Sequence, residues 1–360
     1  MSDDLLVRRM ESLGLARPAL PGPAETVAHL LAVQSQDYGP AKWSLGQRTP
    51  VADPVVEATF AAGAILRTHV LRPTWHFVSP ADLRWLLRLT GPRVHVQNAH
   101  YYRTTGLDEA RLAEATRLIV AELEGGNHLT RRSLVAVLAA AGIPTEGFAA
   151  AYTLMHAELE GIICSGPLDG RQHTYALLEE RVPPAPALGA DEALAALVLR
   201  YFTSHGPATV KDLRWWSSVT LADLRRGLEM VQSQLESEVV DGVTYWSAPT
   251  RPDTARDRAE TPRVHLLQAY DEYLVGYSES KALLDPDGRY RLTPGLPNGI
   301  LIVDTELGGH WRRTIGRERV SFEVLVYEQL DADQTESLHT AADRQAIFLG
   351  CTAEVQVRSI

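Results

Sequence analysis

Apolar positions recur at helical spacing over residues 3–13, 24–33 and 53–62, which predicts three helices. ILRTHVLRPTWHFV (65–78) follows, rich in β-branched and aromatic residues and interrupted at Arg72-Pro73. That pattern predicts a strand, a turn and a second strand. Ser79-Pro80-Ala81-Asp82 supplies a capping hydroxyl, a first-turn proline and a carboxylate at the third position, so a helix opens there. Helices are expected near 80–90 and 108–124. Thr130 then caps RRSLVAVLAAAG, Gly142 and Pro144 stop it, and residues 147–161 read as another helix. IICSGPLDGRQHTYALL (162–178) gives two strand-like runs around a Gly/Pro/Asp turn. Short helices, a longer helix and a hairpin form the order of a winged helix-turn-helix.

VPPAPALGA (182–190) is a linker by composition, and after it the order repeats. DEALAALVLRYFTSHG is helical, Thr209-Val210-Lys211-Asp212 caps a second helix, Thr220-Leu221-Ala222-Asp223 caps a third, and VVDGVTYW (239–246) is a hairpin with an Asp-Gly turn. From Pro262 onward strands dominate, with a helix near 334–345 and a last strand AEVQVRSI. The expected fold class is α+β. Winged-helix units occupy 1–107 (with connecting helices), 108–181 and 191–248, and an antiparallel, barrel-like β-rich part occupies 262–360.

Composition narrows the function. No apolar run among the 360 residues approaches the roughly 18 residues of a membrane span, and the start MSDDLL has no basic signal region, so a cytoplasmic protein without a membrane partner is expected. Cys164 and Cys351 are the only cysteines, which excludes a disulfide framework and a zinc finger. His69 and His76 flank the first hairpin turn without HxxxH or HExxH spacing, so neither a metal nor a cofactor is expected. Phosphate-loop, dinucleotide and serine-hydrolase motifs are absent. The net charge of -10 argues mildly against a general polyanion binder, yet arginines cluster locally, at Arg67, Arg72, Arg84, Arg88, Arg93 and Arg103, and again at Arg312, Arg313, Arg317 and Arg319. Screening over roughly 8 Å lets such a patch act on its own.

QSQDYGPAKWSLGQR (34–48), LRTHVLRPTWHFVSPADLRWLL (66–87), CSGPLDGRQHTYALLEERVP (164–183), GPATVKDLRWWS (206–217), LLQAYDEYLVGY (266–277) and HWRR (310–313) together resemble the AlkZ/YcaQ-type family of tandem winged-helix DNA glycosylases. The resemblance implies winged-helix units around a cleft for duplex DNA. It also implies a catalytic Gln, an intervening residue, then Gln or Asp, which here are Gln34 and Gln36. Ser35 stands where the family usually has an aliphatic residue.

An N7-alkylated guanine is cationic, so it leaves without general-acid help. What remains is to stabilise an oxocarbenium-like sugar and aim a water at it. A glutamine carbonyl can accept a hydrogen bond from that water, whereas a neutral amide is too weak a base to attack undamaged DNA. Residues at i and i+2 share a face only in extended chain, so the helix should end before Gln34, and Tyr38-Gly39-Pro40 supports a break. Asp37 reads as a cap for the following turn, and Tyr38 and Trp43 as core or as stacking platforms. Arg67, Arg72, Arg171, Arg225, Arg226, His310, Arg312 and Arg313 are the candidate DNA contacts. The expected enzyme is a monomeric, monofunctional glycosylase on alkylated duplex DNA, with crosslinked purines left open as substrates. The competing reading is a non-catalytic regulator that reads bases with Arg225, Arg226, Gln232 and Gln234.

Overall fold

The computed structural model describes residues 2–17, 20–185, 187–249, 262–289 and 299–360. The expected linker at 182–190 is therefore described apart from residue 186. The chain divides into two compact units, one of Met1–Val56, Ala195–Trp216 and Thr220–Ile360, the other of Glu57–Leu194 and Ser217–Val219.

The first unit begins with α1 (Ser2–Ser12), α2 (Pro23–Leu30), the short strand β1 (Ala32–Gln34) and α3 (Tyr38–Gly46). α4 (Asp53–Ala61) leads into the second unit. There follow the hairpin strands β2 (Leu66–Val70) and β3 (Arg72–Val78), then α5 (Pro80–Thr104), α6 (Glu109–Leu123), β4 (Leu129–Thr130), α7 (Arg131–Ala140), α8 (Ala149–Leu159), β5 (Ile163–Ser165), β6 (Thr174–Leu177) and α9 (Leu178–Arg181). α10 (Ala190–His205) brings the chain back to the first unit. That unit continues with α11 (Val210–Ser217), α12 (Leu221–Val231), β7 (Glu236–Val240), β8 (Val243–Ser247), β9 (Val264–Gln268), α13 (Glu272–Val275), β10 (Gly299–Val303), β11 (Glu306–Ile315), β12 (Arg319–Val326), α14 (Ala332–Leu349) and β13 (Thr352–Ser359).

Capping chemistry sets several of these boundaries. Ser79 Oγ accepts from Asp82 N, Thr130 from Ser133 N and Thr220 from Asp223 N. Thr209 and Asp212 bond each other's backbone N–H reciprocally, at 3.0 and 3.1 Å. In the second unit, α6, β4, α7, α8, β5 and β6 follow in order, with the three strands arranged β4-β6-β5. Leu134, Leu138, Leu154, Ile163 and Leu177 fill the space beneath them. α10, α11, α12 and the β7–β8 hairpin repeat that order, and Ala208 bridges to Trp246 as the short first strand. The β7–β8 turn has positive φ at Asp241 (51°) and Gly242 (78°), as an Asp-Gly hairpin turn requires.

Two expectations about elements need correction. Arg72-Pro73 is not the hairpin turn but the start of β3; the reversal occurs at Leu71, whose φ is 65°. The helix from Pro80 does not stop near residue 90 but runs through Pro92 to Thr104, because buried Leu86, Leu87, Thr90, Val94 and Asn98 keep one face occupied on both sides of the proline.

The C-terminal part is neither wholly antiparallel nor, among the described residues, closed. Its order is β13-β12-β11-β10-β9, with β9 and β13 at the edges, and β13 runs parallel to β12. The cause is α14, a crossover helix long enough to bring the chain back in the same direction. Leu338, Ala342 and Ala346 of α14 pack on Trp311, Phe322 and Val324 of the sheet.

Candidate active site

Leu31 ends α2 with φ 68° and ψ -45°, close to a strained γ-turn that turns the chain sharply. β1 begins at the next residue, so the helix does end before the glutamines. Gln34 is the last residue of β1, Gln36 lies in the bend beyond it, and Asp37 is again extended (φ -101°, ψ 100°). Gln34 is 6% exposed and Gln36 is half-buried.

The end of β1 is fixed from the protein side. Gln34 N–H donates to Glu272 Oε1 at 2.8 Å. Glu272, 0% exposed, also accepts from Trp216 Nε1 at 2.8 Å through Oε2, with His205 Nε2 at 3.4 Å. The adjacent Asp271 is held by both terminal nitrogens of Arg48, each at 2.9 Å, and Arg48 also donates to the carbonyls of Leu13 and Ser44. Arg48 and Asp271 are fully buried. A carboxylate deprived of water is stable only when charged or polar donors surround it, and here both neighbours are so supplied. The resulting frame fixes where Gln34 stands.

Asp37 occupies the N-cap position of α3, but its side chain makes no capping hydrogen bond and is exposed. Tyr38 is half-buried, with Lys42 Nζ 5.3 Å from its ring centre, and Lys42 pairs with Asp53 at 2.8 Å. Trp43 is not a stacking platform. It is 3% exposed, donates from Nε1 to the Leu266 carbonyl at 2.8 Å and packs on Phe348. Trp216 is likewise core, while Trp215 is exposed.

The basic candidates separate by environment. Arg67 is 9% exposed with its guanidinium 4.4 Å over the Trp75 ring, so it belongs to the interior of the hairpin rather than to a strand end reaching outward. Beside it His69 pairs with the buried Glu158. Arg72 is half-buried. Arg171 is exposed at a tight turn closed by Asp169 and Gln172. Arg225 and Arg226 are exposed on α12, Arg226 lying 3.5 Å from Asp223. On β11, Arg312 is exposed, Arg313 is half-buried, and His310 is hydrogen-bonded to the Tyr327 hydroxyl at 2.6 Å. Burial pushes the His310 imidazole below its ordinary pKa, with Asp285 opposing, so it is a neutral ring at neutral pH.

Sequence reasoning missed Glu272, Trp216 and His205 as supports of the glutamine segment. One signal was present: two adjacent acids inside the apolar run LLQAYDEYLVGY, where a solvated loop is not expected.

The fold and this junction define a mixed α/β protein in which two helix-and-hairpin repeats accompany an open sheet and a buried carboxylate holds a glutamine-bearing strand. A model of the DNA glycosylase AlkZ-like family matches residues 27–348, and the chain belongs to that family. It is thus a DNA glycosylase, a DNA-repair enzyme whose partner is DNA. Among solved structures the fold resembles Streptomyces sahachiroi DNA glycosylase AlkZ, at 21% identity over 99% of each chain with a TM-score of 0.78. No curated protein sequence matches the chain.

Proposed function

We propose that the chain excises N7-alkylated purines from duplex DNA by water attack on an oxocarbenium-like sugar, with Gln34 and Gln36 as the catalytic pair. The observation that carries this reading is the placement of the pair: Gln34 at the end of an extended segment, its backbone held by Glu272, and Gln36 two residues on, before α3 begins. Each side-chain carbonyl can accept a hydrogen bond from the attacking water. The developing positive charge on the sugar is stabilised by carbonyl dipoles rather than by a titrating base. Because no strong base acts, only a leaving group already carrying positive charge departs at a useful rate.

In this reading the segments 1–107, 108–181 and 191–248 are winged-helix units around a cleft, 262–360 is the β-rich part, and the enzyme works as a cytoplasmic monomer without a cofactor. Tyr38 is the remaining aromatic candidate for contact with the lesion. Arg171, Arg225, Arg226 and Arg312 are the phosphate contacts their exposure supports. The regulator reading is weaker. The hairpin following α12 carries exposed Glu236 and Asp241, and acids there disfavour the approach to the backbone that a recognition helix would need.

The test uses duplex DNA containing N7-methylguanine, with alkali to reveal abasic sites. The wild-type chain should release the base, and Gln34→Ala and Gln36→Ala should each lose about a hundredfold or more in single-turnover rate with unchanged circular dichroism. Sequence-selective binding without release would instead favour the regulator.

A further inference from the structure

We propose that His95, His156 and Glu160 form a three-ligand site for a divalent first-row cation, zinc above all, tying α5 to α8. The three residues come from different places in the sequence but offer ligand atoms all within 4.8 Å of one another. His156 and Glu160 stand four residues apart at the end of α8, and His95 faces them from α5. Gly91 helps the helices come so near: a Cβ there would sit 3.1 Å from the Leu159 carbonyl oxygen, a tight contact with backbone that glycine avoids one turn before His95.

One polar atom at this point, on His156, lacks the bond expected of a finished protein contact. Glu160 Oε1 lies 3.0 Å from His95 Nε2. His156 Nδ1, beside this pair, is buried and makes no hydrogen bond among the described residues. A buried nitrogen left so beside a carboxylate is costly unless something bridges the two. The other nitrogen of His95, Nδ1, is 2.9 Å from the Tyr102 hydroxyl. An outer partner of that kind fixes the ring and aims Nε2 at a metal.

Zinc bound by imidazole and carboxylate has bonds of about 2.0–2.2 Å, which places tetrahedral ligands roughly 3.4 Å apart. The Glu160–His95 spacing is already near that value, and Glu160 is exposed and can swing inward at little cost. A cavity of about 350 Å³, lined in part by Arg88, Gly91, Pro92, His95 and Glu160, adjoins the site and leaves room for water in the remaining coordination positions. The ligand set of two histidines and one carboxylate suits zinc, with cobalt and nickel as substitutes. No spacing rule could have revealed it, because the two histidines are sixty-one positions apart and only the α5–α8 contact joins them.

The test loads the full chain, stripped with a chelator, with Zn²⁺ alone and counts bound metal after dialysis. The wild type should retain one equivalent and melt at a higher temperature with zinc. His95→Gln and His156→Gln should lose both effects, the exposed His339→Gln should keep both, and Tyr102→Phe should bind about tenfold more weakly or worse. Should either histidine variant misfold, the exposed Glu160→Gln carries the same test without disturbing the core. Co²⁺ gives the independent readout: visible ligand-field bands in the wild type that vanish in the variants. Absence of saturable uptake, or uptake shared equally by the wild type and the ligand variants, overturns the site.

Discussion

At the scale of single residues, Glu272 is the position on which the glutamine segment depends. Its two oxygens serve the Gln34 N–H and the Trp216 indole at once. Glu272→Gln would leave one oxygen and turn an amide N–H₂ toward a neighbouring donor. The expected loss is about 1–3 kcal/mol in urea unfolding, with a fall in single-turnover glycosylase rate larger than any change in DNA affinity. His265 supplies a pH prediction. Burial, reinforced by Arg344, pushes its imidazole down to about 4, against 6.5 when unfolded. The unfolded chain therefore binds the extra proton first, and stability is complete above about pH 6.5 and lost as pH falls toward 4. The difference amounts to about 3 kcal/mol, and His265→Gln should flatten the stability–pH curve in that window relative to wild type. What the sequence revealed at this scale was uneven. The end of the helix before Gln34 fits the expectation, but not through Tyr38-Gly39-Pro40, which opens α3; the reversal is at Leu31, which carries no local signal for it. Glu272 was not legible, because its partner lies 238 positions away. Trp43 and Arg67 were open to misreading for the same reason: residue type does not say which side of a helix or hairpin the rest of the chain will cover.

At the scale of elements, chemistry written within four residues was readable and chemistry set by packing was not. Ser79, Thr130, Thr209 and Thr220 all sit where their sequence contexts put them, since a cap needs only its own first turn. Ser79→Ala should lower stability by about 1 kcal/mol, measured by thermal or urea unfolding, through loss of the bond from Asp82 N. By contrast, the extension of α5 past Pro92 depends on burial against α8, and the parallel pairing of β13 depends on how α14 crosses the sheet. Both are tertiary outcomes that local preference does not encode. The α3–α14 contact gives a sharper check. A Cβ on Gly46 would lie 2.6 Å from the Phe348 ring, which already packs on Trp43. Gly46→Ala should therefore cost about 1–3 kcal/mol despite the better helix propensity of alanine, read as a lower urea midpoint at unchanged slope.

For the molecule as a whole, the issue is how a chain of net charge -10 engages a polyanion. Long-range repulsion must be overcome by cations close enough to phosphates to release condensed counterions. Affinity should then fall steeply between roughly 50 and 200 mM salt, with a log–log slope near -0.9 per phosphate neutralised. The environments of the arginines decide which substitutions alter that slope. Arg312 is exposed on β11, so Arg312→Ala should weaken binding to all sequences alike and flatten the slope by about 1. Arg67 is buried over Trp75, so Arg67→Ala should leave the slope unchanged and act instead on stability, by removing a cation–π contact and the packing of its stem. Fluorescence anisotropy with a labelled duplex across a salt series, run beside urea unfolding of the same variants, separates the two effects. A flat response in the wild type would remove the arginines from the interface. A slope altered by Arg67→Ala but not by Arg312→Ala would mean that the hairpin opens to bring its buried guanidinium onto DNA.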